Sequence, residues 1–76
     1  MKDIIENSIN KGIKVDKLLV EGSESKYTVS VVSDEFISKS TIQRHKMIYA
    51  LLNNYIKTGE IHALTIKAMT LDESKN

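Results

Sequence analysis

The sequence predicts a single α+β domain in the order α-β-β-α-β(-α), with a three-stranded mixed sheet covered on one face by helices. Three observations predict it. Apolar residues recur at helical spacing near 3–12 and again across 40–58, while the run around 27–31 alternates with a period of two. At 76 residues the chain has room for one core only, because a domain this small buries roughly 60% of its unfolded surface.

Asp3 followed by Glu6 has the form of a capping pair; Ile4, Ile5 and Ile9 then repeat at helical spacing, and Gly12 supplies a C-terminal stop. From Val15 to Val20 the apolar residues are dense and partly branched, which predicts a first strand. Tyr27-Thr28-Val29-Ser30-Val31 predicts a second. Glu21-Gly22-Ser23-Glu24-Ser25 reads as a polar loop, longer than a tight two-residue turn and expected to be mobile.

Ser40 followed by Gln43 is a capping-box pattern that opens a long helix. Projected at about 100° per residue, Gln43, Lys46, Ala50, Asn53 and Lys57 form a narrow, mostly polar stripe. Ile48, Leu51, Leu52, Tyr55 and Ile56 fill a broad apolar arc, wide enough to pack against more than one neighbour. Thr58-Gly59 ends the helix, and Ile61 to Met69 predicts a third strand with Leu64, Ile66 and Ala68 on one face. The first two strands should pair antiparallel, and the long helix should return the chain so that the third lies parallel to the second. The polar tail from Leu71 to Asn76 is expected to fray after a short helical turn at most.

Composition narrows the function. Hydrophobic content of 41% and charged content of 28% are ordinary for a globular chain. No apolar run approaches the roughly 20 residues that span a bilayer, and Asp3 and Glu6 stand where a secretory signal would be apolar, so a cytoplasmic protein is expected. Cysteine is absent, which removes disulfides, thiolate metal sites and a cysteine nucleophile. Eleven Lys and Arg against ten Asp and Glu give a formal charge of +1, too balanced to single out nucleic acid as the partner. No Gly-rich phosphate loop, nucleophile elbow or carboxylate pair is present, and enzyme chemistry is not expected.

Two sets of side chains remain as candidates. His62 stands at the start of the last strand, where solvent can reach a neutral imidazole able to bind iron, zinc or copper; the alternative is a half-buried histidine bonded to backbone. His45 falls within the apolar arc of the long helix and reads as a packing residue. A single imidazole needs further donors, so metal binding here would have to be shared with another molecule. Lys39, Arg44 and Lys46 gather at the start of the long helix, where they could meet phosphate, or equally form an ordinary solvated helix end. A homodimerising scaffold is a third reading, to be favoured if the apolar arc is exposed.

Taken in order, Gly22-Ser23-Glu24-Ser25, Val32-Ser33-Asp34-Glu35-Phe36, Arg44-His45-Lys46-Met47-Ile48-Tyr49 and Ile61-His62-Ala63-Leu64 resemble the BolA family over nearly the whole chain. The resemblance implies a fold similar to the second class of KH domain. It also implies a non-enzymatic partner of monothiol glutaredoxins that shares a two-iron two-sulfur cluster, with glutaredoxin and glutathione supplying sulfur. On that pattern His62 matches the family's C-terminal histidine ligand. The loop position that holds a second histidine or cysteine ligand in many relatives is Lys26 here, whose ammonium cannot ligate while protonated. Some bacterial members are transcriptional regulators, implying DNA contact through the region from Phe36 to Lys46. Ser38 stands where the family commonly has the glycine of Phe-x-Gly, a departure from the Gly-x-x-Gly clamp of KH domains. Monomer and weak homodimer are both compatible with the resemblance.

Overall fold

A computed structural model describes residues 1–75; Asn76, the last residue of the tail expected to fray, lies outside them. The elements are α1 (Lys2–Gly12), β1 (Lys17–Ser23), β2 (Lys26–Val32), a 3₁₀ turn (Asp34–Phe36), α2 (Thr41–Thr58), β3 (Ala63–Met69) and α3 (Leu71–Ser74). The strands form one sheet in the order β1-β2-β3, with β1 antiparallel to β2 and β3 parallel to it.

Pairing places Val20, Val29 and Ile66 in one row and Leu18, Val31 and Ala68 in the next. These side chains make the inner face of the sheet. Ile5 and Ile9 of α1, Ile48 and Leu52 of α2, and Phe36 from the 3₁₀ turn are all fully buried against the same cluster. Complete burial of such side chains contributes roughly 1.5–3 kcal/mol each, well above what exposed polar contacts add, so the helices are held by this apolar layer. The apolar arc of α2 is therefore turned inward, with Leu51, Tyr55 and Ile56 half-buried around Ile48 and Leu52. The condition that would have favoured a homodimerising scaffold is not met.

Expectations at α1 and at the first hairpin need correction, and β1 starts at Lys17, two residues after Val15. The helix α1 starts at Lys2 behind Met1 with no side-chain cap, so Asp3 lies in the first turn instead of capping it. Gly12 is the last helical residue; a Cβ there would collide with the Leu51 side chain of α2, so this glycine serves close helix approach and not a left-handed stop. The hairpin loop is also shorter than expected, because β1 runs on to Ser23 and β2 begins at Lys26.

That tip is a two-residue turn. Glu24 and Ser25 both take positive φ, 53° and 69°, the conformation of the type I′ turn whose twist matches a hairpin. Gly22 is needed beside it, since at φ +117° a Cβ would run into the Lys26 carbonyl. The long helix matches its expectation closely. Gln43 N donates to Ser40 Oγ at 3.2 Å and Ser40 N to Gln43 Oε1 at 2.8 Å, completing the capping box, and Gly59 closes α2 in the left-handed region. Among the described residues no helix is long and apolar enough to cross a membrane.

Candidate functional site at the hairpin tip

β3 begins at Ala63, two residues later than the pattern indicated, so His62 lies just ahead of the strand and is exposed. The reason is local. Ser25 O accepts from both His62 N, at 2.7 Å, and Ala63 N, at 3.0 Å, which fastens the approach to β3 directly onto the β1–β2 turn. On the other side, Ile61 is buried, and its N–H donates to Tyr55 O at 3.0 Å. His62 thus stands on a main chain held from two directions while its ring meets solvent.

Lys26 is the first residue of β2 and pairs with Ala63 in the parallel register. The sequence-predicted ligand and the loop position are therefore neighbours in space, at one end of the sheet. Both side chains are exposed, and neither takes part in an ion pair or side-chain hydrogen bond among the described residues. An exposed neutral imidazole is a competent single donor to a metal. An ammonium is not, and among the described residues no group of three or more His, Cys, Asp or Glu side chains is placed to hold a metal ion. This end of the sheet thus offers one imidazole, with a lysine and no second histidine or cysteine beside it.

The basic set at the start of α2 is divided by the fold. Arg44 forms a fork with Glu73 of α3 at 2.6 and 3.0 Å, donates from Nε to Lys39 O at 2.9 Å and from NH1 to Ala68 O at 3.2 Å, and lies 5.9 Å from the Phe36 ring centroid. Its guanidinium is thereby committed to joining α2, β3 and α3. The Arg44 bond holds the Glu73 carboxyl down at about 2, with help from Thr70 N, while Glu73 in turn raises Arg44. Lys39 and Lys46 remain exposed. His45 is half-buried, in keeping with a packing role.

The Val32-Ser33-Asp34-Glu35-Phe36 segment is a structural knot. Buried Ser33 donates to Lys14 O at 2.5 Å and accepts from Glu35 N at 3.1 Å; Glu35 accepts from Lys14 N, and Asp34 accepts from Leu71 N at 3.1 Å. A surface cleft lined by Lys14, Asp16, Asp34 and Glu35 adjoins it, but two of its carboxylates are already bound to backbone N–H groups. Reading the sequence alone missed Glu73, although Thr70-Leu71-Asp72-Glu73 carries a capping-box pattern that the structure realises in full.

Comparison with known proteins agrees with this architecture. The family model described as BolA-like protein matches residues 3–73. An uncharacterized protein of Haemophilus influenzae is 38% identical over 71 residues, covering 93% of this chain and 84% of its own. The DNA-binding transcriptional regulator BolA of the same organism is 34% identical over an alignment of 85 positions, covering 99% of this chain and 82% of its own. Among solved structures, the BolA domain of SufE1 from Arabidopsis thaliana superposes with a TM-score of 0.87 at 33% identity, covering 95% of this chain and 93% of that one. With the sheet order, the hairpin tip and these likenesses in agreement, the chain belongs to the BolA-like family.

Proposed function

We propose that this chain is a non-enzymatic cytoplasmic adaptor that binds a monothiol glutaredoxin with glutathione and takes part in iron-sulfur cluster trafficking or iron homeostasis. The observation that carries the reading is the exposed His62 ring on a main chain anchored at Ser25. When bound, a two-iron two-sulfur cluster would supply an iron with an open valence for that imidazole nitrogen, the remaining ligands coming from the partner and glutathione. His62 presents the lone pair. The bonds that His62 N and Ala63 N donate to Ser25 O hold its backbone so that ordering the donor costs little. The iron-sulfur side of this reading follows the family resemblance, to which the likeness to the BolA domain of SufE1 belongs.

The test is anaerobic reconstitution of the chain with iron, sulfide, glutathione and a cognate monothiol glutaredoxin, followed by co-purification. The expected result is a mixed complex whose visible absorption and circular dichroism change on His62→Ala. An unchanged spectrum removes His62 from its role.

The relative named as a DNA-binding transcriptional regulator supports a second reading, in which Lys39 and Lys46 meet phosphate. Arg44 adds little to such a surface while Glu73 holds it. The reading predicts DNA affinity that falls with salt, the log-log slope decreasing by about one when either lysine is changed to alanine. Gel-shift binding indifferent to both changes rules it out.

A further inference from the structure

The residue that fails as a ligand has an environment that fits another task. Lys26 lies on the central strand, where its cross-strand partners are Ser23 on β1 and Ala63 on β3. A cation in such a row is stabilised by a carboxylate directly opposite. Here both opposite positions are small and uncharged. Glu21 is the diagonal neighbour and Glu24 lies in the turn, yet no ion pair joins either of them to Lys26. The ammonium is left uncovered.

Its place is also fixed. The type I′ turn at Glu24 and Ser25, the glycine at position 22 and the paired register with Ala63 leave the Lys26 backbone little freedom. His62 immediately precedes Ala63, the cross-strand partner of Lys26, and is tied through Ser25 O. One end of the sheet therefore carries two side chains of different chemistry with no partner among the described residues, an imidazole and a lysine ammonium, each on a held backbone.

Resting on the adaptor reading, we infer that Lys26 is an electrostatic anchor for a carboxylate carried by the thiol-bearing partner that His62 meets, so that this chain holds its partner by one coordinate bond and one ion pair. The carboxylate has two sources: glutathione itself, or an acidic side chain of the glutaredoxin. The ion pair is solvent-exposed, which sets its size. Loss of an exposed pair corresponds to roughly a two- to fivefold weakening at low salt, vanishing as salt screens it.

The experiment measures affinity of the full chain for glutathione-loaded, cluster-bearing monothiol glutaredoxin at low and at high ionic strength, for the wild type, Lys26→Gln, Lys26→Arg and His62→Ala. Lys26→Gln should weaken binding about two- to fivefold at low salt only, and Lys26→Arg should restore it. Repeating the series with glutathione monoethyl ester identifies the source: a Lys26 effect that disappears assigns the carboxylate to glutathione, and one that persists assigns it to the glutaredoxin. If Lys26→Gln binds as the wild type at low salt while His62→Ala still alters the cluster spectrum, the anchor is refuted and the adaptor reading stands. If His62→Ala leaves the spectrum unchanged, the adaptor reading fails, and the anchor with it.

Discussion

The carbonyl of Ser25 accepts two hydrogen bonds from the other end of the crossover, from His62 N at 2.7 Å and Ala63 N at 3.0 Å. The pair ties a turn to the threshold of a parallel strand, and it makes His62 a member of the hairpin tip. Because the contact is made by backbone, it survives replacement of the histidine side chain. That separates the chemistry of the exposed ring from the stability of the fold.

His62→Ala should accordingly leave stability within about 0.5 kcal/mol of the wild type, as for other exposed side chains with no partner. Thermal denaturation of the isolated chain checks this. A loss well beyond that value would mean that the ring supports the structure, and any spectral change on mutation could no longer be credited to donation.

Replacing Lys26 with histidine exchanges a charge for a second imidazole beside the first. On the adaptor reading, the mixed complex of Lys26→His should lose its visible absorption severalfold more slowly under air or chelator than the wild-type complex. Equal decay rates count against a ligand position at residue 26.

Gly22→Ala should destabilise by roughly 1–3 kcal/mol, since it forces an L side chain to φ +117° against a backbone carbonyl that cannot swing aside. Urea unfolding should show a lower midpoint. A midpoint equal to that of the wild type would mean that the turn relaxes freely.

Ser38→Gly should stabilise. Ser38 sits at φ 65°, a conformation that costs an L-residue about 1–2 kcal/mol, against roughly 0.5–1 kcal/mol for the extra freedom glycine loses on folding. The expected net gain is roughly 0.5–1 kcal/mol, read from the same urea curves. A destabilised variant would show that the Ser38 side chain makes a contribution its backbone strain conceals.

Glu73 gives a pH prediction with a definite sign. Its carboxyl is held near 2 in the folded chain, below the ordinary 4.5, by the Arg44 fork first and the Thr70 N–H second. The folded state therefore binds the proton less readily than the unfolded one. The contribution is complete above the ordinary carboxylate range and is lost as pH falls through about 2. An NMR titration of the Glu73 side chain should show a midpoint near 2, moving upward in Arg44→Gln; a midpoint unmoved by that change would dismiss the fork as its cause.

Element order, sheet type and the whole of α2 were legible in the sequence, because period and capping chemistry act within one turn of helix or a few residues of strand. Ser40 with Gln43 announced the helix, and the alternation from Tyr27 to Val31 announced the central strand. The hairpin tip was not legible. Glu24-Ser25 lacks the Asn-Gly or Asp-Gly signal that usually marks a type I′ turn, so five residues read as loop where three belong to β1. Arg44 was misleading for a different reason: the Glu73 carboxylate that engages it arrives 29 positions later, beyond any local pattern. His62 stands out in the sequence by residue type and position, but its nearness to Lys26 depends on the exact register that pairs Lys26 with Ala63, which strand patterning does not reveal.

The parallel pairing of β2 with β3 has a consequence for how the protein comes into being. The hairpin can close early, yet Ser25 cannot receive His62 until the intervening long helix has docked and brought the chain back. A nascent or partly melted polypeptide lacks this tie, so the hairpin tip is complete only once the crossover through the long helix is in place.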